Sequence, residues 1–168
     1  DQYNRPCYFL HIAYRYMFYL SEFLKSSYQY FVMRPFHLAF PVDNLNKTRD
    51  FYTTILGCKE GRSSDRWIDF DLYGHQVVAH LVNQMQPIPK NIVDEHDIPA
   101  NHFGVILEMN DWKDLAERLK NAKIDFIIEP HVRFKGEIGE QATMFFLDPC
   151  GNALEFKAFN SDDMIFNK

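Results

Sequence analysis

The stretch Met144-Phe145-Phe146-Leu147-Asp148-Pro149-Cys150-Gly151-Asn152-Ala153-Leu154-Glu155-Phe156 decides how the rest of the chain is read. It consists of two apolar runs joined by Asp148-Pro149-Cys150-Gly151-Asn152. Pro149 presets φ and Gly151 tolerates a left-handed backbone, so these five residues predict a reversal between two antiparallel strands. Beyond the turn the side chains alternate. Ala153, Glu155 and Lys157 point to one face, and Leu154, Phe156 and Ala158 to the other. A carboxylate inside such a strand is costly to bury unless a cation or a donor meets it. The question is what meets Glu155.

Two histidines stand in matching places upstream. His37 opens Phe36-His37-Leu38-Ala39-Phe40 and His102 opens His102-Phe103-Gly104-Val105-Ile106-Leu107, each an apolar run followed by a helical pattern. They are 65 residues apart, which marks an internal repeat. In the first copy, Phe36 to Val42 alternates as a strand and Asp43 or Asn44 caps a helix over Leu45 to Leu56, which Gly57 stops. A short strand follows near Cys58 to Glu60, then a hairpin of Trp67 to Leu72 with His75 to Val82 about Tyr73-Gly74. Asn83 to Ala100 contains Pro87, Pro89 and Pro99 and reads as a connection. The second copy then runs as a strand (102 to 107), a helix (Asp111 to Ala122), a strand (Ile124 to Ile128) and a hairpin of Gln141 to Leu147 with Asn152 to Phe159. The fold class this predicts is α+β, with two tandem β-α-β-β-β units, 35–82 and 101–159.

The order of these pieces resembles the vicinal oxygen chelate superfamily, which includes glyoxalase I, extradiol dioxygenases, fosfomycin-resistance enzymes and bleomycin-binding proteins. The residues that carry the resemblance are His37, Asp50-Phe51-Tyr52 with Leu56-Gly57, His102, and Asp148-Pro149-Cys150-Gly151-Asn152 before Leu154-Glu155-Phe156. The resemblance implies that the units pair into a cupped mixed sheet around a metal held by His37, His102 and Glu155. Two histidines and a carboxylate with open positions suit non-haem Fe(II). The first expectation is therefore an extradiol-type, ring-cleaving dioxygenase that uses O2 on a catecholic or enediol small molecule, with His80 as acid–base group. The alternative is a glyoxalase-type lyase or isomerase, or a fosfomycin-type transferase, using Zn, Ni or Mn, where His80 becomes a fourth ligand. A metal-free protein that sequesters a small molecule is the third class. The resemblance also admits a homodimer. One departure from the dioxygenase pattern is that Phe145 and Phe146 stand about where a catalytic tyrosine is expected.

Strand parity puts Gln76, Val78 and His80 on one face, and leaves open which of them matches Glu155. Glu129 to Glu140 lengthens the second unit and reads as a lid over the cup. In it, Arg133 is a candidate clamp for a substrate carboxylate and His131 a candidate proton donor. A solvated arginine and an ordinary loop histidine are the plainer readings.

Composition sets the outer bounds. The chain has 168 residues, of which 46% are hydrophobic and 16% aromatic, enough for one globular core. A net charge of -5 argues against nucleic acid as a partner. Cys7, Cys58 and Cys150 are too sparse for a disulfide framework or a thiolate zinc site, which points to a reducing, cytoplasmic setting. Residues 1–32 differ from the rest, being rich in tyrosine and phenylalanine with only Asp1 and Glu22 as acids. Cys7 to Leu20 is interrupted by His11 and Arg15 and is too short to span a bilayer, so stable membrane insertion is not expected. The expected organisation is an extension over 1–32, with a docked helix or an organelle-targeting segment as alternatives, a domain over 33–162 for which Met33 is the natural start, and a tail over 163–168.

Overall fold

The computed structural model describes residues 34–93, 96–137 and 139–166; the expectations for residues 1–32 and for Met33 lie outside them. The chain divides into two compact units, Asp1–Arg34 and Pro35–Lys168, and the second holds both repeats. The first repeat is β1 (His37–Val42), α1 (Leu45–Asp50), β2 (Lys59–Ser63), β3 (Trp67–Leu72) and β4 (His75–Leu81). A hairpin of β5 (Lys90–Val93) and β6 (His96–Pro99) precedes the second repeat. That repeat is β7 (His102–Phe103), β8 (Ile106–Leu107), α2 (Met109–Asn121), β9 (Phe126–Arg133), β10 (Gln141–Leu147) and β11 (Ala153–Phe159). The α+β class holds, and so does the repeat. One sheet is ordered β1-β4-β3-β2 and the other β7-β11-β10-β9, with β8 also paired to β11. In each, the first strand lies parallel to the last, β8 is likewise parallel to β11, and the other pairs are antiparallel.

Local chemistry explains the elements. Asn44 caps α1, its side chain accepting from the Lys47 amide at 3.0 Å. Tyr73 and Gly74 both take positive φ, 51° and 85°, which is the backbone a two-residue turn between twisted strands requires. Helix α2 buries Trp112, Leu115, Ala116 and Leu119 at helical spacing.

Both sheets turn one face to a single core. Phe40, Val42, Ile68, Phe70, Leu72, Val77 and Ala79 from the first meet Ala142, Met144, Phe146, Leu154, Phe156 and Ala158 from the second, with Phe51, Tyr52, Leu115 and Leu119 from the helices. The opposite faces carry His37 and Ala39 on β1, and Glu155 and Lys157 on β11. The Asp148 turn ties the two repeats together. Asp148 accepts from the amides of Cys150 and Asn152, from the Asn152 side chain and from the Tyr52 hydroxyl, while Asn152 Nδ2 also donates to the Pro41 carbonyl.

The structure departs from the sequence reading in four places. The first helix does not run regularly to Leu56: after Asp50 it widens into a π-helical turn, Phe51–Ile55, where Thr53 and Thr54 donate to the carbonyls of Arg49 and Asp50. The strand expected over 102 to 107 is broken at Gly104-Val105. The connection over 83 to 100 is not featureless, since β5 and β6 pair and Ile98 is buried against Phe145 and Ala153. The lid expected over 129 to 140 is half strand. The β9–β10 register slips at Glu129-Pro130, where proline has no N–H for the ladder, and pairing then resumes through Arg133. His131 and Arg133 therefore stand on β9.

Candidate metal centre

His102 and Glu155 are brought together by the parallel pairing of β7 and β11, in which His102 lies opposite Ala153, two residues before Glu155. Nε2 of His102 is 3.3 Å from Oε2 of Glu155. The other imidazole nitrogen, Nδ1, is 2.9 Å from the Pro99 carbonyl at the end of the hairpin. A carbonyl only accepts, so Nδ1 carries the proton, and Nε2 is the nitrogen that faces the carboxylate, which also only accepts, so that a cation between the two would be met from both sides. Oε1 of Glu155 accepts from the Thr143 hydroxyl at 2.9 Å, and Lys157 Nζ is 3.4 Å from Oε2. The Phe145 ring stands directly across from Glu155 and meets the His102 ring edge-on at 5.0 Å.

Gly104 makes this arrangement sterically feasible. Between β7 and β8 its α-carbon faces the backbone of Glu155, and a Cβ there would collide with the Glu155 carbonyl oxygen. The chain can thus bracket Glu155 from both sides only with glycine at this position.

His37 stands elsewhere. On β1 it lies opposite Gln76, and its Nδ1 is 2.8 Å from Gln76 Oε1. Among the described residues, no group of three or more His, Cys, Asp or Glu side chains is close enough to hold a metal ion. The core explains the separation: the faces bearing His37 and Glu155 both turn away from the interior that the two sheets share. The pairings also align the repeats, His37 with Gln76 and His102 with Ala153, so that Val78 takes the place equivalent to Glu155. His80 aligns with Lys157, is exposed, and lies between Pro41 and Trp67 on the first sheet.

His131 lies opposite Thr143, which lies opposite Lys157, forming a row one step from Glu155; Arg133 opposite Gln141 and Phe159 forms the next. The His131 ring is held at Nδ1 by the Glu129 carbonyl at 2.7 Å, and Arg133 stacks on Phe134 at 4.9 Å. A cleft of about 530 Å³ opens beside His102, walled in part by Phe40, Pro41, Met85, Ile88, Phe103 and Ala153.

Sequence reading missed Thr143, Pro99 and Asp69 as parts of these sites, and named Gln76 for its strand face without its contact to His37. Thr143 and Asp69 had a signal, each being a polar residue with an apolar neighbour on both sides, as Glu155 is. Pro99 acts through its backbone, which side-chain patterns do not report.

Residues 34–156 match the sequence profile of the Glyoxalase/Bleomycin resistance protein/Dioxygenase superfamily, and the chain belongs to that superfamily, the vicinal oxygen chelate proteins. Among curated relatives it is 26% identical over 129 residues to the metallothiol transferase FosB of Staphylococcus haemolyticus, covering 77% of this chain and 86% of that one. Among solved structures it is similar to a glyoxalase/bleomycin resistance protein/dioxygenase from Alicyclobacillus acidocaldarius. The identity there is 34% and the TM-score 0.66, with 79% and 96% of the two chains covered. The fold is shared with the fosfomycin resistance protein FosX of Listeria monocytogenes at 18% identity and TM-score 0.58, covering 77% and 95%. Among the described residues no helix is long and apolar enough to cross a membrane.

Proposed function

We propose that the protein is a metal-dependent enzyme of the fosfomycin-type transferase or glyoxalase-type lyase class, acting on a small electrophilic molecule. The observation that carries this is the convergence of His102 Nε2 and Glu155 Oε2, with Nδ1 of the histidine already engaged by Pro99. An imidazole oriented in this way beside a hydrogen-bonded carboxylate fits the donor chemistry of a borderline divalent ion such as Mn, Zn or Ni. The ion, when bound, would polarise a substrate oxygen as a Lewis acid. Its ligands would be His102 and Glu155 together with His37, the last supplied by a second copy of the chain, because within one chain the two faces point away from each other. The similarity to a metallothiol transferase supports the transferase branch.

The chain's own residues divide the remaining work. Thr143 holds Oε1 of Glu155 and leaves Oε2 directed at His102. Lys157 offsets the carboxylate charge when nothing else does, and is free to turn to an anionic substrate oxygen once another cation takes its place. Phe145 covers the far side of the site with hydrocarbon, which limits water. Arg133 extends the cationic side outward, with His131 in the row between it and Glu155.

The ring-cleaving Fe(II) reading has less support. Its acid–base candidate, His80, aligns in the repeat with Lys157 and not with Glu155, and Phe145 offers no proton where that chemistry wants one.

The test is metal titration of the full chain, followed by thiol consumption with fosfomycin in the presence of Mn, Zn or Ni, beside O2 uptake with catechols after Fe(II) loading. Metal-dependent thiol consumption is expected, and O2 uptake in its place would overturn the transferase reading. Mixing His37→Ala with Glu155→Ala protein tests the shared site. Each mixed dimer regains one intact site, and metal binding that stays absent on mixing would rule out a ligand from a second copy.

A further inference from the structure

We propose that Gln76, itself oriented by Asp69, fixes His37 in the tautomer that presents Nε2 as a ligand, so that Gln76 and Asp69 are positioning residues of the metal site. This rests on the reading of His37 as a metal ligand. The geometry behind it lies entirely on the first sheet.

Asp69 sits on β3 between Ile68 and Phe70, only 7% exposed, on the face opposite the core. A carboxylate so placed is costly unless donors meet it. Two do, both at Oδ2: Arg62 Nη2 at 3.4 Å and Gln76 Nε2 at 3.4 Å. The Arg62 side chain is 82% exposed, so that pair is screened and does little to explain the burial. The Gln76 contact sets the orientation of the amide. A carboxylate accepts and does not donate, so Gln76 must turn its NH2 to Asp69 and its oxygen to His37. That oxygen lies 2.8 Å from Nδ1 of His37. An amide oxygen likewise accepts only, so Nδ1 bears the proton and Nε2 is left with the lone pair. Asp69, Gln76 and His37 thus form a directed chain of hydrogen bonds ending in an available imidazole nitrogen.

His102 reaches the same state by another device, the Pro99 carbonyl at 2.9 Å. The two histidines occupy equivalent strands of the repeat, and in both Nδ1 is held by an acceptor so that Nε2 is the nitrogen offered. In one repeat the holder is a side-chain relay, and in the other it is the backbone of an inserted hairpin. Partners of this kind are worth about 10- to 100-fold in metal affinity.

The experiment is ¹⁵N-imidazole NMR on the metal-free full chain, read beside metal affinity by calorimetry, for wild type, Gln76→Leu, Gln76→Glu and Asp69→Asn. Wild-type His37 is expected as the Nδ1–H tautomer. Gln76→Leu should move it to Nε2–H and weaken metal binding by about 10- to 100-fold. Gln76→Glu, which keeps an acceptor beside Nδ1, should retain the tautomer and most of the affinity. Asp69→Asn, nearly isosteric and so protective of the fold, should give a mixture because the Gln76 amide is then free to flip. A His37 resonance that stays Nδ1–H in Gln76→Leu, or in Asp69→Asn if the leucine variant does not fold, overturns the proposal. A tautomer that switches with metal affinity unchanged, matched by unchanged affinity in His37→Ala, instead removes His37 from the metal set and overturns the reading on which the proposal rests.

Discussion

Gly104 and Glu155 are packed backbone to backbone, so closely that the carbonyl oxygen of Glu155 occupies the space a side chain on residue 104 would need. Gly104→Ala should therefore force β7 and β8 away from β11 and cost about 3 kcal/mol of stability, the upper range for overpacking. Urea unfolding checks this. A midpoint equal to wild type would mean that the strands can shift without loss.

Thr143 is the donor to Oε1 of Glu155. Thr143→Val keeps shape and burial but leaves that oxygen unsatisfied and the carboxylate freer to rotate. Metal affinity should fall by about 10-fold with thermal stability little changed, whereas Glu155→Gln should abolish binding in the same titration. Equal affinity in wild type and Thr143→Val would show that the carboxylate is held by other means.

Burial holds the Asp148 carboxyl above the usual aspartate range even though its hydrogen bonds to Asn152, Cys150 and Tyr52 pull it down. The folded state therefore binds this proton more tightly than the unfolded chain does. The associated stability is fully present below the usual aspartate range and is lost as pH rises through the raised pKa. Asp148→Asn removes that dependence and sets an amide NH2 against the donors of Tyr52 and Asn152, costing about 1–3 kcal/mol. Unfolding curves of the two proteins should lie furthest apart at the acid end and approach each other as pH rises. Curves that stay parallel across that window would show that Asp148 titrates normally.

Cys58 is buried, and desolvation together with the nearby charge of Asp71 pushes its thiol up to about 12. Below that range it stays a thiol, and the stability linked to this proton is lost only as pH rises toward 12. A disulfide reagent at about pH 8 should therefore label Cys58 at a rate limited by opening of the fold, accelerating with urea and located by peptide mass spectrometry. Fast labelling in native buffer would contradict its burial.

Much of the architecture was legible in the chain because it rests on local periodicity. The alternation around Glu155, the cap at Asn44, the turn at Tyr73-Gly74 and the repeat from His37 to His102 are short-range patterns, and the folded chain reproduces them. The departures lie where distant groups compete. A proline in β9 shifts the register without ending the strand, because β10 still offers partners beyond it. Threonines in the first helix find carbonyls four residues back and widen its last turn. The hairpin over Lys90–Pro99 forms because Ile98 has an apolar surface to cover on the second sheet.

For the site, the sequence alone determined which residues share a strand face, since that depends only on a two-residue period. It therefore singled out Glu155, His102 and His37 as candidates. Which of them meet was decided by tertiary structure. His102 and Glu155 converge because β7 and β11 are hydrogen-bonded neighbours and Gly104 lets them close. His37 sits against Gln76 because the first sheet spends its other face on the common core, and burying that apolar surface outweighs any preference of a single imidazole for its distant partners.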